Sequence, residues 1–575
     1  MRSPMLVDSA KATTAVLAAI VAAPLLGVVL PGTFAYVFWL SVLATLAGVA
    51  WVLLRARERG QWPRWTAVAL VLVPVLIGTA DVVRTVVLYR GVVLPFMRND
   101  MVMNTIEAMT IHNNGSLGSG AEVKPVFLTA AIASVFYGPG TGYPDLRTMI
   151  VGNIAAATAT CALISVLVGS FAHVMLQGTA RPLRIVGVLA VGWVPYTGLV
   201  MGQVVQFGYM NIPVIVLIMV VAWILYRYLS PWQAMVWLPL VVVVSLAAWS
   251  PAALLPGLLL LARAIRAGIG LWGPGEKVVP TRAEVIATAA TWLLAAAYTL
   301  GIALPALRRD GGYLAAGPGA FIPVVTDSLI FSATALLLLV GLYGALARFG
   351  ADIAPVGGLA LLAVGAWAGV VYLLLLRAPG DYRWGYYPMK LMVISIAVIG
   401  VLLTIEAMGA AVAYGPRAAL LRGASYALAV AALAASVVTP GLHAGWRHYL
   451  VPLHEPDEWI PAASQTDHEA YADLVRVFDE HKGGAVVFIR DSERVSVDAD
   501  RNRFLIQFSA PTDYDVRINA YADWDEEYYD TILCPLLDAW DKDAVVVTSE
   551  RNRESVEHEV QQCRPKHDVT VTVLD

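Results

Sequence analysis

The chain has 575 residues, 58% hydrophobic and only 14% charged, with a mean hydropathy of +0.68. Soluble domains carry about 25% charged residues, so this composition excludes a soluble enzyme over most of the length. The formal net charge of −3 hides a division: residues 451–575 hold 28 acidic and 12 basic side chains, whereas residues 1–450 hold 14 and 27. A basic, apolar body is followed by an acidic, water-soluble tail. The bases sit singly in short loops between apolar runs, which argues against nucleic acid as a partner.

A membrane span needs about 20 apolar residues. Runs at 13–31, 34–54, 66–89, 146–175, 184–202, 210–226, 232–249, 251–266, 282–304, 327–347, 354–376, 389–412 and 418–439 predict about thirteen transmembrane helices. Only helices satisfy their own backbone in hydrocarbon without a closed barrel. The first run is followed directly by a second, the pattern of a polytopic chain rather than of a cleaved leader. Every even-to-odd loop is basic: Arg55, Arg57, Arg59 and Arg64; Arg181 and Arg184; Arg227; Arg263, Arg266, Lys277 and Arg282; Arg348; Arg417 and Arg422. The positive-inside rule then puts these loops and the N-terminus in the cytoplasm of a multi-pass plasma-membrane protein. The loop after the third span and the tail fall outside.

That third loop opens on Arg98-Asn99-Asp100 and runs to Pro144. Placed on a helix at 100° per residue, Asp100, Asn104 and Glu107 fall within about 60° of one another. Val102, Thr105, Ile106 and Met109 fill the opposite face, as expected of a short helix lying at the bilayer interface. Its polar face either lines a cavity of the bundle or is simply solvated. Asn113–Gly120 is a turn, Lys124-Pro125 starts a further apolar segment to Phe136, and Asp145 is a helix-start residue.

The pattern Asp100-(x)3-Asn104…Ala108…His112…Gly115…Lys124-Pro125 resembles the first external loop of GT-C glycosyltransferases, the class that uses polyprenyl-phosphate sugars. The chain departs from that pattern in Val126 after Lys-Pro and in placing the loop after a third span. Over the other residues the likeness is one of architecture. The resemblance implies a GT-C-like body over 1–440, a linker over 441–466 and a soluble extracytoplasmic α/β domain over 467–575. It also implies Asp100 as catalytic base.

Further along, Asp381-Tyr-Arg-Trp-Gly-Tyr-Tyr-Pro-Met-Lys390 is expected as an external turn that opens the twelfth span. Tyr386-Tyr387-Pro388-x-Lys390 resembles a stretch in actinobacterial members that build cell-envelope polysaccharides. Its aromatics would equally serve as interface anchors. Arg383 and Lys390 are the cations a lipid phosphate needs, a planar fork and a compact charge. Arg98 and Lys124 join them as candidate donor-phosphate ligands, and Asn104, Glu107, His112, Tyr386 and Tyr387 as substrate contacts. Secondary candidates are Arg308, Arg309 and Asp327, and the group Gln203, Gln206, Tyr209 and Asn211, whose side chains suit sugar hydroxyls.

In the tail, a helical pattern at 468–481 and strands at 485–489, 504–508, 544–547 and 569–573 predict a small αβ sandwich. An acidic and aromatic cluster, Asp523 to Asp530, suits a solvated loop, calcium or sugar stacking. Cys161 lies inside an apolar run as a core residue. Cys534 and Cys563 would bond in an oxidising compartment.

Transfer from a polyprenyl-phosphate sugar releases a stable lipid phosphate, so it needs one base and cations rather than the paired carboxylates of glycoside hydrolysis. No cofactor is required. Glu107 could join a divalent-cation site, but no His/Asp/Glu spacing completes a metal set. The expected activity is inverting transfer of a sugar, arabinofuranose or mannose favoured, to a cell-envelope glycan or glycolipid. The competing readings are a transporter or flippase of lipid-linked sugars, a polysaccharide polymerase or ligase, and a non-catalytic envelope scaffold. A transporter would concentrate charge and broken helices at mid-membrane, whereas the spans here contain few charges, Asp81, Arg84 and Glu406 being the main ones.

Overall fold

A computed structural model describes residues 4–29, 34–61, 65–88, 100–115, 117, 126–139, 144–272, 279–308, 326–347, 353–377, 386–413, 419–437, 476–477, 479–481, 485–489, 529–540 and 542–573. Within them, eleven helices are long and apolar enough to cross a membrane. Shorter apolar helices at Ile330–Leu346 and Arg422–Ala434 occupy the places of the two other predicted spans. The chain is a polytopic helical protein.

The elements that position the site are α1 (Pro4–Val29), α2 (Phe34–Glu58), α3 (Trp65–Leu88), α4 (Asp100–Asn114), α5 (Leu128–Val135) and α6 (Leu146–Met175). They are followed by α7 (Arg181–Trp193), α8 (Met201–Phe207), α9 (Asn211–Tyr228), α10 (Pro231–Ala248) and α11 (Leu254–Trp272). Then come α12 (Arg282–Tyr298), α13 (Thr326–Ala347), α14 (Ile353–Leu375), α15 (Tyr386–Ala413) and α16 (Ala419–Val437).

Burial follows composition. α15 and α9 are apolar on every face and are buried along their length, which makes them the centre of the bundle. α2 and α12 are almost bare, and side chains such as Leu43, Leu46, Leu54, Leu293 and Leu294 point outward. Outward leucine is what a lipid-facing helix requires. The spans hold few charges, and the best-buried acid is neutralised inside the bundle: Glu406 on α15 accepts from Trp223 Nε1 at 3.2 Å and from Arg227 Nε at 3.3 Å, both on α9. A second pair, Arg59 with Asp8, joins α2 to α1.

The predicted fifth span at 184–202 is a broken helix. Pro195 removes a backbone donor, and α7 gives way to one 3₁₀ turn, Val194–Tyr196, before α8. The interruption is buried rather than lipid-exposed, as backbone at membrane depth must be. Thr197 repairs it: its hydroxyl donates to the Val194 carbonyl at 2.7 Å, and its own carbonyl accepts from the N–H groups of Val200 and Gly202. α8 then stops at Gly208, whose φ of +69° is a left-handed cap that glycine adopts without a Cβ penalty. That cap turns the chain so that Tyr209 enters the core.

In the tail, β1 (Ala485–Phe488), β2 (Ala544–Thr548) and β3 (Val569–Val573) form a parallel sheet in that order, with Ala485 opposite Ala544 and Ala544 opposite Val569. Parallel strands need crossovers. α17 (Tyr529–Ala539) lies between β1 and β2 and α18 (Arg553–Cys563) between β2 and β3. Ala485, Val487 and Val546 pack with Leu533, Leu536, Trp540 and Val556 of the helical layer. Val486, Phe488 and Val547, pointing the other way, belong to the core that continues into the bundle. Asp479 fixes this docking by accepting from the Leu146 N–H at the head of α6, 3.0 Å away. Cys534 and Cys563 are bonded and join α17 to α18. The linker 441–466, the predicted strand 504–508 and the acidic cluster around Asp525 lie outside the described residues, as does most of the helix predicted at 468–481.

Candidate functional site

The short helix predicted at the start of this loop is present as α4, and more of its surface is buried than a single apolar face. Met101, Thr105, Ile106, Ala108, Met109, Ile111 and His112 are all buried, while Asn104 and Glu107 are half-buried on the side the helical wheel assigned to them. Asp100 is the first residue of this helix, where an acid is favoured by the helix dipole.

A buried polar chain anchors α4. The Thr105 hydroxyl donates to the Met101 carbonyl at 2.7 Å, and Asn153 Nδ2 of α6 donates to Thr105 Oγ1 at 2.7 Å. Tyr137, in the turn after α5, donates its hydroxyl to Asn153 Oδ1 at 3.0 Å. Burial pushes the Tyr137 phenol pKa up, so it stays a donor. Its ring fits because residue 152 is glycine: a Cβ there would lie 2.6 Å from the ring. The His112 imidazole meets the same ring edge-on, centroids 5.8 Å apart. Burial lowers the His112 pKa, partly offset by a hydrogen bond to the Ser134 backbone, so at neutral pH the ring is uncharged. His112 therefore sits in the anchoring network beneath α4, away from the face that carries Asn104 and Glu107.

The second half of the site centres on Lys390. The sequence places it on an external turn, but α15 starts at Tyr386 and carries Lys390 inward by one turn, where it is fully buried. Its ammonium lies 4.7 Å from the centroid of the Tyr209 ring and 5.4 Å from that of Trp249. Trp249 stacks on Tyr387 with an interplanar angle of 10° and a centroid separation of 5.9 Å. Cation–π attraction is worth about 2 kcal/mol per ring when desolvated, which helps to offset the cost of burying the charge.

The two halves share one end of the bundle. The Phe127 N–H, just before α5, donates to the Ala247 carbonyl at 2.9 Å, two residues before Trp249. α5 packs against α4, α6 and α10 alike. On the face of α15 turned away from Lys390, Met392, Ser395 and Ile399 border a small apolar cleft with Leu337, Ala366 and Trp367.

The structure thus places Asn104, Glu107 and His112 on one helix and brings Lys390 and Tyr387 to the same end. Arg98, Lys124 and Arg383 lie outside the described residues, as do the side chains of Asp100, Tyr386, Arg84, Gln206 and Asp327; Arg309 does too. Arg308 is exposed at the end of the helical stretch that continues α12. Among the described residues no three His, Cys, Asp or Glu side chains converge as a metal-ligand set. The sequence passed over Thr105, Tyr137, Asn153 and Trp249. Trp249-Ser-Pro251 carried a signal as an aromatic at a helix break, whereas the Tyr137–Asn153 bond has no local signature.

Compared with known proteins, the chain matches no family model, no curated protein and no solved structure.

Proposed function

We propose that this chain is a membrane glycosyltransferase that moves a sugar, arabinofuranose or mannose favoured, from a polyprenyl-phosphate donor to a cell-envelope glycan or glycolipid. The observation that carries the proposal is Lys390, an ammonium buried on aromatic faces at the end of the bundle that also holds α4, the helix that starts at Asp100. A charge held inside a span is costly and marks a working site by default.

In the reaction, the Asp100 carboxylate takes the proton of an acceptor hydroxyl. The acceptor oxygen attacks the anomeric carbon from the face opposite the phosphate, and the carbon–oxygen bond to phosphate breaks with inversion. The lipid phosphate leaves as an anion stabilised by Lys390, with Arg383, Lys124 and Arg98 as further candidate ligands. Asn104 and Glu107 orient the acid or the acceptor, and Tyr387 holds Trp249 against the ammonium. His112, uncharged and buried, keeps α4 in place.

Sidedness supports the same reading. Arg55, Arg57, Arg59, Arg181, Arg184, Arg227 and Arg282 stand at helix ends opposite the Lys390 end, a distribution that supports an extracytoplasmic Lys390 end and tail under the positive-inside rule. Both the thirteen spans read from the sequence and the eleven long apolar helices among the described residues are odd numbers of crossings, in keeping with an N-terminus and a tail on opposite sides. A bonded cysteine pair fits that compartment.

The test is transfer from a polyprenyl-phosphate sugar by the purified full chain and its Asp100→Asn and Lys390→Met variants. Asp100→Asn should lose at least about 100-fold in rate, the usual share of a general base, with donor KM little changed. Lys390→Met should raise donor KM. Near-wild-type rates in Asp100→Asn would remove the base.

A flippase or transporter of lipid-linked sugars has one observation in its favour, the break between α7 and α8, since broken helices form transporter sites. Movement of the lipid-linked sugar across proteoliposomes without cleavage of its phosphate bond would establish that reading instead.

A further inference from the structure

Four buried polar atoms on elements at the Lys390 end of the bundle form no hydrogen bond among the described residues: Thr129 Oγ1 on α5, Gln203 Oε1 on α8, Asn211 Oδ1 on α9 and Ser245 Oγ on α10. Each belongs to a residue no more than 5% exposed. Such atoms are rare in native proteins, and leaving one unmade costs the full desolvation of the group. Backbone bonds and chain adjacency link these residues to the elements that surround the cation. Gln203 accepts from the Tyr209 N–H through its carbonyl at 3.2 Å, and Asn211 follows Tyr209 by two residues. Ser245 accepts from the Trp249 N–H through its carbonyl at 2.9 Å. Thr129 follows Phe127, the residue bonded to α10. Tyr209 and Trp249 are the rings on which Lys390 rests.

The chemistry of the set is specific. Gln203 already spends its Nε2 on the Gly198 carbonyl at 2.9 Å, so its free atom is an acceptor. Asn211 offers another acceptor, and Thr129 and Ser245 offer hydroxyls that donate or accept. None of the four is charged. Two neutral acceptors and two hydroxyls, at the end of the bundle that holds one cation on its aromatic faces, match a ligand with several O–H donors beside its anion.

We infer that Gln203, Asn211, Thr129 and Ser245 form a subsite that reads the hydroxyl groups of the sugar whose phosphate Lys390 binds. The assignment rests on the glycosyl-transfer reading and deepens it: the group beside the phosphate is a neutral polyol, not an acyl chain or a second charge. Selectivity between sugars then comes from these acceptors, because a site built to bond hydroxyls rejects a ligand that leaves them unpaired.

The full chain in lipid nanodiscs provides the test, with three probes: polyprenyl phosphate, polyprenyl-phosphate arabinofuranose and polyprenyl-phosphate mannose. The wild type should bind one glycosylated probe more tightly than the bare lipid phosphate. Asn211→Leu and Ser245→Ala should each reduce that preference by about 3- to 10-fold, one neutral hydrogen bond each, and leave affinity for the bare lipid unchanged. The ligand-free melting temperature should hold or rise in both variants, because an unsatisfied buried group is removed. A structural role, or satisfaction by buried water, predicts the opposite sign in melting. A preference retained in the variants, a lowered melting temperature, or a wild type that binds all three probes equally overturns the subsite alone. A wild type that binds none of the probes overturns the glycosyl-transfer reading as well.

Discussion

Tyr137→Phe is the sharpest probe of how α4 is held. The change keeps the ring on His112 and in the space left by Gly152, and deletes only the hydroxyl that donates to Asn153 Oδ1 at 3.0 Å. Asn153 is 1% exposed, so the abandoned acceptor is out of reach of bulk water. Its desolvation should cost about 1–3 kcal/mol. Asn153→Leu on top of Tyr137→Phe removes that orphan. Thr105 still donates to the Met101 carbonyl, so the double variant should recover part of the loss. The coupling between the two sites should exceed about 1 kcal/mol, as for residues in one network. Reversible unfolding in mixed micelles, run as a four-member cycle, measures it. Transfer activity should fall with Tyr137→Phe, since α4 carries Asp100. A single-variant effect within about 0.5 kcal/mol, or strict additivity, would refute the network as the anchor.

Other perturbations read other parts of the fold. His112 has a lowered pKa, so below the ordinary imidazole value of about 6.5 the unfolded chain binds a proton that the folded chain refuses. Stability should therefore be level above about pH 6.5 and fall as the pH drops towards the lowered folded value; His112→Phe should flatten that slope in pH-dependent unfolding. Gly152→Ala puts a Cβ 2.6 Å from the Tyr137 ring and should cost about 1–3 kcal/mol by overpacking, seen in the same unfolding assay. Breaking the disulfide by Cys534→Ser and Cys563→Ser frees a closed loop with a sequence separation of 29. That should destabilise the tail by about 3–4 kcal/mol, read as earlier proteolysis of the tail in the non-reduced variant than in the wild type.

Much of the architecture is legible in the chain. Runs of apolar residues locate the helices because hydrocarbon leaves the backbone no alternative, and Asp145 caps α6 as its position suggests, accepting from the Thr148 N–H at 2.6 Å. The tail strands at 485–488, 544–548 and 569–573 are short valine-rich runs, the first two buried on both sides and the third half-buried at the sheet edge, which read plainly. The helix break at Pro195 was hidden because apolarity continues through it, and hydropathy reports solvent rather than conformation. Lys390 looked external because it follows a polar aromatic turn; its burial depends on Tyr209 and Trp249, 181 and 141 positions away along the chain. Pairings such as Tyr137 with Asn153 are likewise tertiary and leave no periodic trace. α4 was the intermediate case, with the correct half-buried face read from spacing and the depth of its seat set by α5 and α6.

The central claim is transfer of a glycosyl group with release of lipid phosphate at the Lys390 end of the bundle. The most direct measurement supplies the purified full chain in nanodiscs with a polyprenyl phosphate carrying a labelled arabinofuranose or mannose, together with a cell-envelope glycan acceptor. The expected result is lipid phosphate released in step with labelled product whose anomeric configuration is inverted. Product of retained configuration, or lipid-linked sugar left intact by a folded protein shown to bind it, would contradict the account.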